Sequence, residues 1–486
     1  AWGVFTDNTH RLEIDLARTS PTAWTVRAAG GAIDQYVIAG PAMRDVVRRY
    51  TALTGRIPMP PRWTLGYHQS RWGYSPSARV EEIAREFRTR RIPADGIWLD
   101  IQHMRGFRSF TWEPTNFPDP AGLVRRLNAQ GFKLTVIADP GIKQDTAWDV
   151  YNSGVTEDVF HRHPDGALAI GAAWPGASAF PDFTLAPGRA WWSRHVGTLA
   201  ALGVRGVWLD VNEPTTFPEG GGGATLPDTV RAHGEGVTTT LAEVHNVYAM
   251  GETRATWEGL RERSPERRPF VLTRAGYAGV QRYAAMWTGD APSTWWSLRQ
   301  SLPMLLGMGV SGLAFVGSDV GGYSGRATPE LFARWMALGV ISPFFRGHVT
   351  QGVNDQEPWA FGQEVEDLSR AFLQERYRLI PYLYSLFDEA RRTGAPILRP
   401  LVYEFQGEAA VAATDDEAML GPWLLAAPVL TEGATRRQVT LPAGRWYEYS
   451  SGAVYEGPTT IDLEVTRAAL PLYVREGAIL PRDRSP

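Results

Sequence analysis

A short apolar run that meets a charged residue recurs eight times between residues 62 and 348, and helical patterns fill most of the gaps. The runs are Trp63–His68, Gly96–Leu99 before Asp100, Phe132–Ala138 before Asp139, and Val204–Leu209 before Asp210. Phe270–Thr273 before Arg274, Ala284–Trp287 ahead of Asp290, Leu313–Val316 ahead of Asp319, and Ile341–Phe345 before Arg346 and His348 complete the set. Apolar runs this short read as strands buried on both faces, as in parallel sheets. Strand–helix alternation implies α/β architecture with a parallel sheet. Eight repeats imply a closed (β/α)8 TIM barrel, whose chemistry sits at the C-terminal ends of its strands. An open doubly wound sheet fits less well, because no glycine-rich phosphate turn follows the first strand.

The flanking segments differ in period. Residues 1 to about 40 alternate apolar and polar side chains, which predicts antiparallel strands. Pro41 then opens a helix with Met43, Val46, Val47 and Tyr50 on one face, and Gly55 ends it. The segment 1–60 therefore reads as the tail of an N-terminal β-sandwich plus a linker helix. Residues 61–392 form the barrel, closed by a helix over 364–392. Residues 393–486 return to short strands, including Arg437–Leu441 and Trp446–Tyr449 split by Pro442-Ala443-Gly444, and read as a C-terminal β-sandwich. Two connections, about 140–185 and 211–240, are too long for plain loops and would wall the catalytic face. The second carries Gly220–Gly223, without the Lys-Ser/Thr of a phosphate loop.

Composition removes several functions. Forty-nine basic against 52 acidic residues, net charge −3, argues against nucleic acid or an anionic membrane as partner. No run approaches the roughly 18 apolar residues of a membrane span. No signal-peptide pattern is visible, so a cytoplasmic location is expected. The absence of cysteine excludes disulfides, thiolate metal sites and a cysteine nucleophile. Nothing selects between a monomer and a homo-oligomer.

Several strand-end carboxylates converging on one pocket suit two chemistries, an oxygen-ligand metal site or glycoside hydrolysis by a carboxylate pair. His68 and His348 have one nearby acid each at best, and His161-Arg162-His163 reads as ordinary loop, so no metal and no cofactor is expected. Tryptophan separates the two cases. The chain has 19, and Trp98, Trp208 and Trp287 each stand two or three residues before a strand-end acid, with Trp174 on the covering insertion. Indoles around an acid suit a sugar in a partly desolvated pocket, where a carboxyl can hold its proton.

The stretches Trp208-Leu209-Asp210-Val211-Asn212-Glu213, Trp287-Thr288-Gly289-Asp290, Trp98-Leu99-Asp100-Ile101, Trp174-Pro175-Gly176, Leu272-Thr273-Arg274, Gly317-Ser318-Asp319-Val320-Gly321-Gly322-Tyr323 and Arg346-Gly347-His348 occur in that family's order once arranged along the chain, and together they resemble glycoside hydrolase family 31, the α-glucosidase and α-xylosidase family. With Leu65–Tyr74, Phe180–Phe183 and Asp355–Trp359, which match too, the resemblance spans about residues 60 to 360. It implies a retaining exo-α-glucosidase acting on an oligosaccharide or α-glucoside, with Asp210 as nucleophile and Asp290 as general acid/base. It implies substrate binding by Asp100, Arg274 and His348, apolar walls from Ile101, Ile137, Trp174, Trp208, Trp287 and Tyr323, and Trp72 on the aglycone side. Glu213 and Asp319 would be supporting residues. α-Xylosidase, α-transglucosidase and a non-catalytic sugar-binding protein stay open as alternatives. Val211 replaces the family's usual Met, Gln102 stands where a second Asp is common, and Tyr323 where Phe is common. Because Gly3–Asp15 resembles the stretch that supplies an N-terminal loop to the pocket, Asp7 or Arg11 is expected near it.

Overall fold

The computed structural model describes residues 1–217 and 223–483, so residues 220–222 of the glycine run fall outside it. Its centre is a parallel barrel of eight strands. They are β1 (Tyr67–Gln69), β2 (Gly96–Leu99), β3 (Lys133–Ile137), β4 (Gly206–Leu209), β5 (Val271–Thr273), β6 (Ala285–Trp287), a broken β7 (Val316–Gly317 and Asp319–Val320) and β8 (Phe345–Gly347). Neighbours pair in chain order from β1 to β6. The ring closes through β7, whose first half pairs with β6 and whose second half pairs with β8, which in turn pairs with β1. The strands are as short and apolar as the sequence implies, because the helices around them bury their outer faces as well.

Three barrel boundaries move, the simplest at the seventh strand, which is expected over Leu313–Val316 and starts only at Val316. Residues 62–65 form a turn of 3-10 helix, and the first strand begins only after Gly66. Ile341 ends a helix, Pro329–Ile341, and the eighth strand starts at Phe345. That helix is buried along its whole length from Leu331. An all-apolar helix and an all-apolar strand look alike in sequence. Pro343 separates the two elements. Arg376, fully buried on the closing helix Gln363–Thr393, donates to the carbonyls of Leu65, Val340, Ser342 and Pro343 at 2.7–2.9 Å. It thus satisfies the loop carbonyls beneath β1 and β8, which would otherwise be buried without partners.

The first long connection is structured. It holds a helix, Asp149–Thr156, and a three-stranded antiparallel sheet of Ile142–Lys143, Gly176–Ala179 and Ile170–Ala173. The second holds two short ladders, Thr215–Thr216 with Ala224–Thr225 and Arg231–Ala232 with Thr239–Thr240. At the N-terminus Trp2–Thr6 pairs with Gln35–Ala39 and Leu12–Ser20 with Ala23–Ala28, ahead of the helix Met43–Thr54. The C-terminal β domain is six antiparallel strands around a core that includes Leu401, Met419, Val439, Leu441, Trp446 and Tyr473. Its two expected strands 437–441 and 446–449 are one strand, Arg436–Glu448, with a register shift between Leu441 and Gly444 where the turn-like Pro-Ala-Gly sits. Among the described residues no helix is long and apolar enough to cross a membrane.

Candidate active site

The acids gather because side chains two apart on a strand point the same way. Trp98 and Trp208 point into the barrel, with ring centroids 6.1 Å apart, and Trp287 lies 5.8 Å from Trp208. Two residues beyond the first two stand Asp100 and Asp210, and three beyond the third stands Asp290. His348, two beyond Arg346, packs its ring edge-on to Trp208 at 5.1 Å. Asp100, Asp139, Asp210, Asp290 and Asp319 thus ring the mouth with His348, and each of these carboxyls feels at least one of the others.

The turn after β4 is the most constrained part of the site. Val211, β-branched, sits at φ 47, a left-handed conformation costly for such a side chain. What holds it is a set of ties to β5. Asn212 Nδ2 donates to Thr273 Oγ1 at 2.9 Å and its Oδ1 accepts from the Ala275 amide at 3.1 Å. Glu213 takes a forked pair from Arg274, Nε to Oε1 at 2.8 Å and Nη2 to Oε2 at 2.9 Å. That fork leaves Arg274 Nη1 3.0 Å from Asp210 Oδ1, close enough for ion pairing though not aligned as a hydrogen bond. Glu213 therefore aims the guanidinium at Asp210.

Burial pushes Asp210 up to about 6, against the opposing pull of Arg274. Asp290 is open to solvent on one side, yet its walls also raise it, with Arg274 and Arg346 pulling it down. Burial pushes Asp100 up to about 7; its Oδ1 accepts from the Ile101 amide at 2.7 Å and its Oδ2 lies 3.6 Å from His348 Nε2. His348 is held well below its ordinary value by burial and is neutral, with Nδ1 buried and unpartnered. Asp319 accepts both Nε and Nη2 of Arg346, at 3.1 and 2.7 Å. Among the described residues no group of three or more His, Asp or Glu is arranged to hold a metal ion.

Ile101, Ile137, Trp208 and Trp287 are almost wholly buried and Tyr323 stacks on His348 at 5.1 Å. Trp174 projects from the tip of the hairpin Ile170–Ala179, about a third exposed, against Trp72 at 5.6 Å and Phe217 at 4.7 Å. Gln102 brings no charge, and its Oε1 is buried without a partner. Asp7 accepts from the Tyr277 hydroxyl at 3.3 Å, whereas Arg11 is 81% exposed and paired with Glu13. His161 lies outside any helix or strand, as expected, but it is not a surface residue. It is buried, its Nδ1 lies 2.8 Å from the Arg231 carbonyl, and Asp182 stands 3.9 Å away.

Four groups escaped sequence reasoning. Asp139 is legible in the sequence as a strand-end acid but not as part of the site; it is 3% exposed, with both oxygens unpartnered. Glu252, on the helix Tyr248–Arg263, is fully buried and raised well above its ordinary value by burial and by Asp139, Glu213 and Asp210. Its signal was faint, a lone acid in register with Tyr248, Ala255 and Gly259 on the inward face. Arg346 was visible in Arg346-Gly347-His348 yet assigned to nothing. Phe217, the third ring of the rim, lies just past the turn that follows β4.

Two family models match, the glycosyl hydrolases family 31 TIM-barrel domain over residues 57–386 and the family 31 C-terminal domain over 394–480. Alpha-glucosidase 2 of Bacillus thermoamyloliquefaciens is 42% identical over 480 residues, 99% of this chain and 60% of that protein. Human neutral alpha-glucosidase AB is 40% identical over 93% of this chain and 48% of its own length. The chain thus spans about half to three-fifths of these relatives. A solved Flavobacterium johnsoniae GH31 dextranase mutant, complexed with isomaltotriose, superposes with a TM-score of 0.93 at 32% identity, covering 99% of this chain and 60% of its own.

Proposed function

The chain belongs to glycosyl hydrolase family 31, and on that premise we propose that it is a retaining, exo-acting α-glucosidase that removes terminal non-reducing glucose from α-linked oligosaccharides. The observation that carries the reading is the Glu213–Arg274–Asp210 chain of contacts facing an open Asp290 across a pocket floored by indoles. Asp210, ionised and paired with Arg274, attacks the anomeric carbon while the glycosidic C–O bond breaks and Asp290 gives its proton to the leaving oxygen. The product is a glycosyl ester on Asp210. Asp290, now a carboxylate, takes a proton from water, the oxygen of that water attacks the same carbon, and the ester bond returns its electrons to Asp210. Asp100, Arg274 and His348 take hydrogen bonds with the sugar hydroxyls. Ile101, Ile137, Trp174, Trp208, Trp287 and Tyr323 form the glycone walls, and Trp72 meets the aglycone. Glu213 and Asp319 hold the two arginines. The domain division 1–60, 61–392 and 393–486 is part of the same reading.

Support for glucose comes from the relatives' names as α-glucosidases at about 40% identity and from isomaltotriose in the structural neighbour. The test is release of nitrophenol from p-nitrophenyl α-D-glucopyranoside and the matching xylopyranoside. Turnover of the glucoside, loss of roughly 10⁴-fold in Asp210→Ala, and formation of a β-glucosyl azide when azide is added to that variant are the expected results. Turnover of the xyloside alone transfers the reading to an α-xylosidase. Unchanged activity in Asp210→Ala removes Asp210 from the mechanism.

A further inference from the structure

Barrel interiors are filled in layers, four side chains at a time from alternate strands. Here the even strands contribute Trp98 from β2, Trp208 from β4, Trp287 from β6, and a cation, Arg346, from β8. The guanidinium carbon of Arg346 lies 4.9, 4.7 and 5.3 Å from the centroids of those three indoles. The residue is fully buried, and Asp319, its register partner on β7, takes Nε and Nη2 while Nη1 has no hydrogen-bond partner. The reacting carboxyls stand on the next layer of the same strands. Asp100, Asp210 and His348 follow two residues after Trp98, Trp208 and Arg346, a rise of about 7 Å, and Asp290 follows three after Trp287.

We propose that Arg346 is a positioning residue for the reaction, a fixed cation one layer beneath the catalytic carboxyls that clamps the indole floor and sets how protons are shared among Asp100, Asp210 and Asp290. The inference rests on the glucosidase reading above and adds to it the group that balances the site's charge. Seven carboxyls surround the pocket, from Asp100, Asp139, Asp210, Glu213, Glu252, Asp290 and Asp319, and the cations facing them are Arg274 and Arg346. Neutral His348 and His68 adjoin Arg346 as well. Arg274 is taken by Glu213 and Asp210. Arg346 is the other of these two, and it favours the ionised forms of Asp100, Asp290 and Asp319; Arg71, paired with Asp355, also reaches His348. A guanidinium suits the place because it is planar enough to lie among three indole faces, always charged, and weakly hydrated.

Three variants test this, Arg346→Gln, Arg346→Lys and Asp319→Asn, each read by the pH profile of kcat/KM on the nitrophenyl glucoside. Indole fluorescence against pH in the unliganded protein is the second readout. Removing the cation strengthens proton binding by the carboxyls above it, so both limbs of the profile and the fluorescence midpoint move up by roughly one pH unit in Arg346→Gln. Lysine restores the midpoint, because the charge returns, but not kcat, because the indole clamp does not. Removing the Asp319 charge moves the midpoints down. Limbs and midpoints unmoved in both Arg346→Gln and Asp319→Asn, with only thermal stability lost, would overturn the proposal and leave Arg346 a packing residue. If Arg346→Gln does not fold, the downward shift in Asp319→Asn carries the test, and its absence overturns the proposal. A wild type that releases no glucose while the fluorescence midpoints still shift sinks the glucosidase reading and leaves the role of Arg346 standing.

Discussion

Asp210 and Asp290 are both raised by burial in the unliganded site, so the division of labour proposed for them would have to be set by partners. Asp210 is pinned beside Arg274 and Asp290 is left open at the mouth. On the proposed mechanism Asp210 must be ionised to attack, so the acid limb of kcat/KM is expected near pH 6, where burial has pushed it. A pH–rate profile with an acid limb at the ordinary carboxylate value, near 4, would show that Arg274 outweighs burial. Asp290→Asn should lower kcat by about 10²–10⁴-fold, the usual range for a lost general acid. The loss should be smaller for substrates whose leaving group departs without protonation. Glu252 makes a stability statement instead. Its carboxyl is raised well above its ordinary value by burial, so the folded protein keeps the proton after the unfolded chain has lost it. Stability is therefore lost as pH rises past the unfolded value. Glu252→Gln should match wild type near pH 4 and exceed it increasingly toward pH 8, as followed by thermal unfolding; a gain that does not grow with pH would mean that Glu252 is ionised in the fold.

At the scale of elements, the helix Pro329–Ile341 and β8 approach so closely that only glycine fits between them. A Cβ at Gly339 would meet the Phe345 ring at 2.2–2.6 Å. Gly339→Ala should cost about 1–3 kcal/mol, typical of overpacking, and denaturant unfolding measures it. The same approach delivers Arg346 and His348 to the site, so the variant should lose activity at temperatures where it is still folded. The hairpin Ile170–Ala179 acts on the other side of the pocket. Trp174 at its tip completes a three-ring rim with Trp72 and Phe217. Trp174→Ala should lower kcat/KM on a disaccharide by roughly tenfold, about the worth of one aromatic stacking contact. The loss should fall mainly on KM, and an unchanged KM would separate the hairpin from substrate binding.

For the whole molecule, the crowd of buried acids couples stability to pH. Asp100 and Glu417 are each pushed up to about 7, and Asp210 to about 6. Between pH 4 and 7 the folded chain holds protons that the unfolded chain has released. The unliganded protein should accordingly lose stability as pH rises from about 5 to 7.5, the reverse of the trend for a protein stabilised by surface ion pairs. Thermal midpoints across that range check it, and a flat or rising trend would mean that the acids are better compensated than their contacts suggest. The barrel tolerates this cost because its core is large. Phe270, Phe315, Phe344 and His68 pack beneath the indole layer. The outer helices bury the far sides of the strands.

The sequence by itself determined the barrel, its eight strands and the acids at their ends, because period and residue type are local properties. A short apolar run followed by a carboxylate needs no tertiary information to be recognised, and neither does the order of Trp208–Glu213, Trp287–Asp290 and Arg346–His348. It stumbled where two local states share one pattern. The buried helix through Ile341 and the bulged strand Arg436–Glu448 both lie in segments whose local signals point to another element. What only the tertiary structure decided is how groups far apart in the chain meet. Glu252 arrives on a helix 42 residues after Asp210, Arg346 arrives on the last strand to complete a layer with Trp98 from the second, and His161 meets Asp182 across an insertion. Their ionisation and roles depend on desolvation and on neighbours brought together by barrel closure, and neither is a property of any stretch of sequence.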